Sequence, residues 1–193
     1  MRRVYDFDQT IFRGDSTARF CLFALRRRRR RRLALALPRV GAAFLKMALG
    51  RLSKTQAKQV LFQALLPALP EVDGAVQAFW AENLGRIKPW YLKQKADSDL
   101  IISASPEFLL EPVCQQLGIS LIASPVDKHT GEYRGPNCHG EEKVRRYQAL
   151  YGQEDFEFYS DSLSDDPMAQ LACRAWMVRG DALSPWPLPS SLP

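Results

Sequence analysis

The sequence has few of the residues that bind transition metals or form disulfides. It contains only two histidines, His129 and His139, and four widely spaced cysteines that make no CxxC pair. The four cysteines are Cys21, Cys114, Cys138 and Cys173. This pattern argues against a zinc site and a disulfide framework, and it is typical of free thiols in a reducing compartment. Cys138 and His139 are adjacent, but two ligands alone make a poor metal site, so we interpret His139 as a loop histidine.

The sequence also lacks an uninterrupted apolar run long enough to cross a membrane. A spanning helix needs roughly 20 predominantly apolar residues. The most apolar segment, residues 33–50, is interrupted by Pro38, Arg39 and Lys46. No secretory signal fits the N-terminus, because strand-like residues begin at about Arg3. We therefore expect a cytoplasmic protein in which the apolar segment packs in a helical bundle or lies on a membrane surface.

What the sequence has in excess is arginine at one place. Seven consecutive arginines, Arg26–Arg32, lie in a chain of 193 residues with a net charge of +6, and without them the net charge would be −1. A nucleic-acid-binding protein usually spreads its basic residues over a face and adds aromatic or base-reading groups. No nucleic-acid partner is therefore expected.

Hydrophobic patterning divides the chain into a short strand, a helical block and an alternating block. Residues 2–8 predict a buried strand. Residues 15 to 95 contain no convincing strand and predict helices separated by proline and glycine. The predicted helices are 16–31, 34–49, 53–66 and 72–87.

From residue 99 onward, predicted strands and helices alternate. The strands are 100–104, 119–124, 155–160 and 175–178, the helices are 106–118, 140–152 and 165–174, and 130–135 is a tight turn or hairpin. This alternation predicts an α/β fold with a Rossmann-like, doubly wound, mostly parallel sheet and an inserted all-helical cap. The expected α/β core comprises residues 1–14 and 96–183, the cap residues 15–95, and an irregular tail residues 184–193.

Two carboxylates follow the first predicted strand in the stretch "YDFDQT". Asp6 and Asp8 are two positions apart, so in an extended chain their side chains point the same way. Carboxylates held so close repel each other unless a cation or a shared proton is present. Mg²⁺ suits such oxygen ligands together with a substrate phosphate. A solvated acidic turn is the alternative interpretation of these residues alone.

Hydroxyl groups and a lysine follow later elements. Ser103 ends the second predicted strand, and Ser105 can cap the helix that begins at Pro106, so the pair predicts either a phosphate cradle or an ordinary helix cap. Lys143 lies just inside a helix that follows Gly140, where it can reach a phosphate or serve only as a surface lysine.

A second acidic group, "SDSLSDD", follows the strand 155–160. Asp161 leaves this strand at the edge of the sheet where Asp6 and Asp8 leave theirs. Ligands in such sheets bind beyond the carboxyl ends of the strands, so this edge is where a site is expected. Asp165 lies near the start of the next helix, where the helix dipole favours a carboxylate.

The four segments "DFDQT", "SAS", "EEK" and "SDSLSDD", in this order, resemble the motifs of the haloacid dehalogenase-like (HAD) phosphohydrolases. The large helical insertion after the first motif is similar to subfamily IB, the branch that contains phosphoserine phosphatase. The stretches "GPNCHGEEKV" and "YSDSLSDDPMAQLACRAWMVRG" resemble the bacterial phosphatidylglycerophosphatase group of that branch. The resemblance covers residues 2–181 and implies a phosphomonoester substrate.

The resemblance implies a catalytic pair and a metal site. Asp6 would attack phosphorus to form an aspartyl-phosphate, and Asp8 would protonate the leaving alkoxide and then activate water. Mg²⁺ would be held by Asp6, the main-chain carbonyl of Asp8, and Asp161.

The resemblance also assigns supporting residues. Ser103, the Ala104 amide and Lys143 would hold the phosphoryl oxygens. Thr10 and Asp165 would orient their neighbours, with Asp165 pairing with Lys143.

The sequence departs from the family pattern at one position that bears on the substrate. Phosphoserine phosphatases carry a glutamate nine residues after the nucleophile, where it recognises the substrate's amino group, and here that position is Asp15. The shorter acid argues against phosphoserine itself. Asp166 also stands where the group often has an apolar residue, and the sequence gives no account of it.

Arg26–Arg32 and the apolar segments beside it predict either a solvated helix end or an element on an anionic membrane surface. The second interpretation favours a lipid phosphate such as phosphatidylglycerophosphate as the substrate, at the inner face of the membrane. The alternatives are a soluble small-metabolite phosphatase and a non-enzymatic adaptor that binds an anionic surface or nucleic acid.

Overall fold

The computed structural model describes residues 1–27 and 30–187, and its framework is one six-stranded sheet. The strands are β1 (Arg2–Tyr5), β2 (Leu100–Pro106), β3 (Ser120–Ser124), β4 (Phe156–Ser160), β5 (Arg174–Arg179) and β6 (Ala182–Pro185). Their order is β3-β2-β1-β4-β5-β6, with β1 to β5 parallel and β6 antiparallel to β5. The predicted Rossmann-like α/β fold is therefore confirmed.

Helices cover both faces of the sheet and fill the long connection between β1 and β2. The helices of that connection are α1 (Ser16–Arg27), α2 (Arg30–Ala48), α3 (Lys54–Leu65), α4 (Val72–Asn83) and α5 (Pro89–Gln94). The remaining ones are α6 (Glu107–Leu117), α7 (Glu141–Tyr151) and α8 (Asp166–Leu171). Within the described ranges, none of these helices is long and apolar enough to span a membrane.

Side-chain alternation in β1 places neighbouring residues in two separate cores. Val4 packs with Ile102 and Phe158 on the face that α7 and α8 cover. Tyr5 packs on the other face, in a cluster that also takes in Phe20 of α1. Successive strand residues point to opposite faces, so Val4 and Tyr5 are both fully buried although they lie on different sides of the sheet.

The helical connection shares the second of these cores with the sheet. Trp80 of α4 contacts Phe7 at a ring-centroid distance of 5.8 Å, and its indole N–H donates to the carbonyl of Leu109 in α6 at 2.6 Å. The division of the chain into a core and a separate cap domain stays a prediction.

The structure departs from several local predictions. The first strand ends at Tyr5 rather than at residue 8, because the chain then turns so that the amides of Ile11 and Phe12 both donate to the carbonyl of Phe7. The predicted irregular tail begins instead with β6, since Gly180, at φ 62°, allows a two-residue hairpin after β5. The helix α5 was not predicted.

The predicted break after residue 31 does not fall there either, because α2 starts at Arg30 and continues through Pro38. Arg28 and Arg29 of the arginine run, and the tail residues 188–193, lie outside the described residues. The predicted turn at 130–135 is confirmed, since the Asp127 amide donates to the Glu132 carbonyl at 2.8 Å and Val126 pairs with Tyr133.

Candidate active site

A cavity of about 290 Å³ lies at the carboxyl ends of the sheet strands. Asp6 follows β1, Ser103 belongs to β2, and Asp161 follows β4. The cavity is lined by Asp6, Asp8, Gln9, Asp15, Lys58, Ser103, Ala104, Ser105, His139, Lys143, Asp161, Ser162, Ser164 and Asp165. Every predicted site residue lines it except Thr10, which is fully buried behind it.

Lys143 joins two of the carboxylates at the bottom of this cavity. Its ammonium group donates to Asp6 Oδ1 at 2.8 Å and to Asp165 Oδ2 at 2.7 Å. The Ser160 hydroxyl donates to the same oxygen of Asp165 at 2.7 Å. Lys143 is 1% exposed, so its charge is compensated by these two carboxylates rather than by water. The predicted pairing of Asp165 with Lys143 is confirmed.

The positive charge of Lys143 does not fully offset the cost of burying the Asp6 carboxylate. Burial raises the pKa of Asp6 to about 7, while Lys143 acts against that rise and Asp165 adds to it. Burial lowers the pKa of Lys143, but its two carboxylate partners outweigh this and raise it above its ordinary value. Lys143 is therefore protonated at neutral pH, and Asp6 lies close to its own titration.

Asp8 is held by the first amide of α1 and by a serine of β2. Its Oδ1 accepts from the Ser16 amide at 2.6 Å, and its Oδ2 accepts from the Ser105 hydroxyl at 2.5 Å. Burial raises the pKa of Asp8, and so does the nearby Asp15, while the bonds from Ser105 and Ser16 lower it. The carboxyl group is fixed in direction and ready to carry a proton.

The contact of Ser105 with Asp8 corrects the prediction that Ser105 caps α6. The residue at the cap position is Pro106, and no side chain bonds to the first amides of that helix. The pairing of β2 with β3 shifts register between Ile102 and Pro106, so the strand continues past Ser105. The Ser105 hydroxyl also forms a hydrogen bond of 2.8 Å with the hydroxyl of Thr17 in α1, so Ser105 links β2 to α1.

Thr10 and Ser103 are polar side chains that the fold buries beside the acidic residues. Thr10 Oγ1 accepts from the Asp161 amide at 3.0 Å and donates to Asp161 Oδ1 at 3.3 Å. The Ser103 hydroxyl accepts from the Ser105 amide at 3.1 Å and is 1% exposed. Thr10 therefore contacts both the main chain and the side chain of Asp161, whereas the sequence predicted an orienting role without naming this partner.

Residues 4–170 match the family model of the haloacid dehalogenase-like hydrolases. This chain is a haloacid dehalogenase-like hydrolase. A curated histidinol-phosphatase from Neisseria meningitidis serogroup C (strain 8013) is 31% identical over 100 residues, which are 45% of this chain and 45% of that protein. The hydrolase thus spans about half the length of the curated relative that it matches.

Solved structures with the same fold cover nearly the whole hydrolase. A protein of unknown function from Bordetella pertussis Tohama I has a TM-score of 0.72 at 22% identity, over 90% of this chain and 88% of that one. A probable phosphoserine phosphatase from Vibrio cholerae has a TM-score of 0.63 at 16% identity, over 91% and 55% respectively. At these identities the likeness concerns the fold, so the finer resemblance to phosphatidylglycerophosphatases stays a prediction.

Two acidic residues of this hydrolase have structural partners that the sequence did not reveal. Asp15 lines the cavity, and its Oδ1 also accepts from the Ala18 amide at 2.8 Å in the first turn of α1. Asp166 faces away from the cavity, where its Oδ1 accepts from the Trp186 indole at 3.0 Å. Asp166 therefore fastens the segment after β6 to α8.

Sequence reasoning missed five contributors to the cavity. Lys58 of α3 and His139, in the loop before α7, line it together with Gln9, Ser162 and Ser164. His139 is a loop residue as predicted, but its position at the site was not foreseen. Its place four residues before Lys143 was the available signal, whereas nothing distinguishes Lys58 from other helix lysines.

The lining residues suit a hard divalent cation. Five carboxyl groups and two lysines line the cavity, which gives an excess of three negative charges when all of them are ionised. Oxygen donors of this kind favour Mg²⁺ over softer metals. Among residues 1–27 and 30–187, no three His, Cys, Asp or Glu side chains form a metal-binding cluster. The predicted ligand set has only two side-chain ligands, Asp6 and Asp161, and depends on a main-chain carbonyl for the third.

Proposed function

We propose that this chain is a Mg²⁺-dependent phosphomonoester hydrolase that works through an aspartyl-phosphate on Asp6. The observation that carries the proposal is the pair of fixed carboxyl groups in one cavity, Asp6 bonded by Lys143 and Asp8 bonded by Ser105. Lys143 engages Oδ1 of Asp6, which leaves Oδ2 to attack phosphorus. Two displacements on phosphorus then replace one difficult hydrolysis.

Asp8 moves the protons in both displacements. In the first, the bond from phosphorus to the alkoxide breaks, and protonated Asp8 gives its proton to that oxygen. In the second, the Asp8 carboxylate takes a proton from water, whose oxygen displaces Asp6 from phosphorus. The raised pKa of Asp8 suits the first role, and its two hydrogen bonds hold it in place for both.

The phosphoryl oxygens would be held by Ser103, the Ala104 amide and Lys143, all of which line the cavity. Mg²⁺, held by Asp6, Asp161 and the Asp8 carbonyl, would neutralise the charge that builds up between nucleophile and phosphate. Thr10 keeps Asp161 directed for this role. The result is the electrostatic positioning on which phosphoryl transfer depends.

We favour a lipid phosphate such as phosphatidylglycerophosphate as the substrate. The cavity of about 290 Å³ admits a headgroup but not acyl chains, which must then stay in a bilayer. Residues 16–70 contain 13 of the 27 basic residues and none of the acidic ones. Phe44 and Leu45 of α2 are 40% and 62% exposed beside Lys46, and Leu49, just after α2, is 60% exposed.

An apolar face among cations is the composition of an element that lies on an anionic membrane. The proposal therefore includes peripheral contact with the cytoplasmic membrane surface through Arg26–Arg32 and the flanking helices.

A soluble small-metabolite phosphatase is the second candidate. It is favoured by the match to the Neisseria histidinol-phosphatase and by Asp15 in the cavity, where an acid suits a substrate amino group. Against phosphoserine, one oxygen of Asp15 is occupied by the Ala18 amide.

One assay separates these candidates. Mg²⁺-dependent phosphate release is measured from phosphatidylglycerophosphate in mixed micelles, from phosphoserine and from histidinol phosphate, with Asp6→Asn as the blank. Release from the lipid alone supports the favoured substrate, and release from a soluble ester alone replaces it with the second candidate. No release from any of them, nor from an aryl phosphate, contradicts the enzyme proposal and favours a non-enzymatic adaptor.

A further inference from the structure

A buried lysine lies beside the active-site loop, residues 6–14, but outside the set that the proposed chemistry uses. Lys88 precedes α5 and is 3% exposed. Its ammonium group donates to two main-chain carbonyls, those of Gln9 and Gly180. A buried ammonium bonded to carbonyls is costly to keep, so its retention needs an explanation.

The first carbonyl belongs to a residue with an unfavourable backbone. Gln9, at φ 58°, is the one non-glycine residue with a positive φ in the part of the chain that the structure describes. For an L-residue this conformation costs about 1–2 kcal/mol. Gln9 separates Asp8 from Thr10, and its amide donates to the Gly14 carbonyl at 3.0 Å. The directions of both neighbours therefore depend on this backbone.

The second carbonyl belongs to the turn between β5 and β6. Gly180 lies in that turn, and β5 pairs with β4, the strand that leads to Asp161. The Lys88 amide also donates to the Ile11 carbonyl at 2.8 Å. Gln9, Lys88, Asp161 and Gly180 line one cavity of about 430 Å³, which shares Gln9 and Asp161 with the active-site cavity. One ammonium group thus connects the loop that carries Asp8 to the part of the sheet that carries Asp161.

We propose that Lys88 is a positioning residue that holds Gln9 in the left-handed conformation and so fixes the Asp8 carbonyl and the Thr10 hydroxyl relative to Asp161. A hydrogen bond from a charged donor contributes about 1.5–3 kcal/mol, which is comparable to the backbone penalty at Gln9. Loss of the ammonium group leaves that penalty without compensation, and the loop relaxes. The catalytic part of this inference rests on the proposed function.

The decisive experiment compares Lys88→Met in two backgrounds. In the natural background, the Mg²⁺ concentration for half-maximal turnover rises about tenfold or more and kcat falls, while KM for the phosphomonoester changes less than about threefold. In a Gln9→Gly background the same substitution has an effect of about threefold or less, because glycine adopts a positive φ without penalty. An equal loss in both backgrounds would overturn the proposal, since it would reveal a general structural role.

A second measurement needs neither metal nor turnover. Amide hydrogen exchange in residues 6–14 of the metal-free protein becomes about tenfold faster in Lys88→Met, while α7 keeps its natural rate. Arg13→Ala is the control, because it breaks the exposed ion pair with Asp181 at 2.8 Å that joins the same loop to the same turn. Its effect on exchange is smaller than that of Lys88→Met. Exchange that accelerates equally in α7 contradicts a positioning role.

Two further outcomes are informative. If the natural protein hydrolyses no phosphomonoester, the proposed function fails, while the exchange measurement still decides the role of Lys88. If Lys88→Met alone does not fold, circular dichroism of Lys88→Met combined with Gln9→Gly decides instead. A folded double variant supports the proposal, and an unfolded one overturns it.

Discussion

The helical stretch of residues 16–70 and the rest of the chain have opposite charges and expose different surfaces. All 21 acidic residues lie outside this stretch, with 14 of the 27 basic ones, so the remainder of the chain is negative overall. The negative part buries its charge in a small cavity around Lys143, whereas α2 in the positive part exposes apolar side chains beside Lys46. The proposed membrane contact therefore draws on the positive stretch, whereas the proposed chemistry draws mainly on the negative remainder, to which the stretch adds Lys58 and the Ser16 amide.

The largest expected effect is on turnover. Asp6→Asn removes the nucleophile, and we expect a loss of at least about 10³-fold in kcat with unchanged binding to vesicles. Asp166→Asn is the matched control, because Asp166 is also acidic but faces away from the cavity. We expect the activity of this control, measured with the same phosphate-release assay, to stay within about threefold of that of the natural protein. Turnover by Asp6→Asn at a rate close to that of the natural protein would contradict the assigned nucleophile.

The next effect is on stability. Lys143→Met leaves Asp6 and Asp165 buried without their shared cation, and breaking such a buried pair costs about 3–5 kcal/mol. Urea unfolding followed by circular dichroism measures the change. Arg145→Met, which breaks the exposed ion pair with Glu142 in the same helix, is expected to cost less than about 1 kcal/mol. Equal losses in the free energy of unfolding for the two variants would show that the buried cluster contributes no more to stability than an exposed ion pair.

The proposed membrane contact should weaken when positive charge is removed, while the rate of hydrolysis stays the same. Replacing Arg39, Lys46 and Arg51 by glutamine removes three positive charges, each contributing about 1 kcal/mol near an anionic bilayer, so vesicle affinity falls by up to about 10²-fold. Sedimentation with phosphatidylglycerol vesicles measures this, and hydrolysis of a soluble aryl phosphate is expected to stay the same. Glutamine at Arg134, Arg145 and Arg174 removes the same charge from the other region and is expected to leave vesicle binding intact. Equal losses in both triple variants would remove the distinction between the two regions.

The smallest effect is the pH dependence of stability in the metal-free protein. The pKa of Asp6 is raised to about 7 in the folded state, so folding favours its protonated form. Its contribution to stability is complete below the ordinary pKa of an aspartate and is lost as the pH rises through 7. The melting temperature should therefore fall by a few degrees between pH 5 and pH 8, and Mg²⁺ should raise it more at pH 8. The same rise in melting temperature at both pH values would contradict a metal site at Asp6.

The residues that sequence could predict are those whose place follows from a strand end. Asp6, Asp161 and Lys143 come together because parallel strands and their helices converge on one edge, and Asp165 meets Lys143 for the same reason. Ser105, Lys58 and Asp166 depend on a register shift, on helix packing and on a partner 20 residues away, so no local pattern predicts their contacts. A local sequence pattern does not show which distant residues the fold brings into contact.

Gly131 gives a way to alter the active site from outside it. It has φ 78°, and a Cβ atom there would lie 2.4 Å from the backbone of Phe62 in α3. Lys58 precedes Phe62 by four residues, one turn earlier on the same helix, and lines the catalytic cavity. A side chain at position 131 must therefore shift either the loop that carries it or α3, and a shift of α3 would move Lys58. For protein engineering, this buried glycine is a place outside the cavity from which to alter its lining.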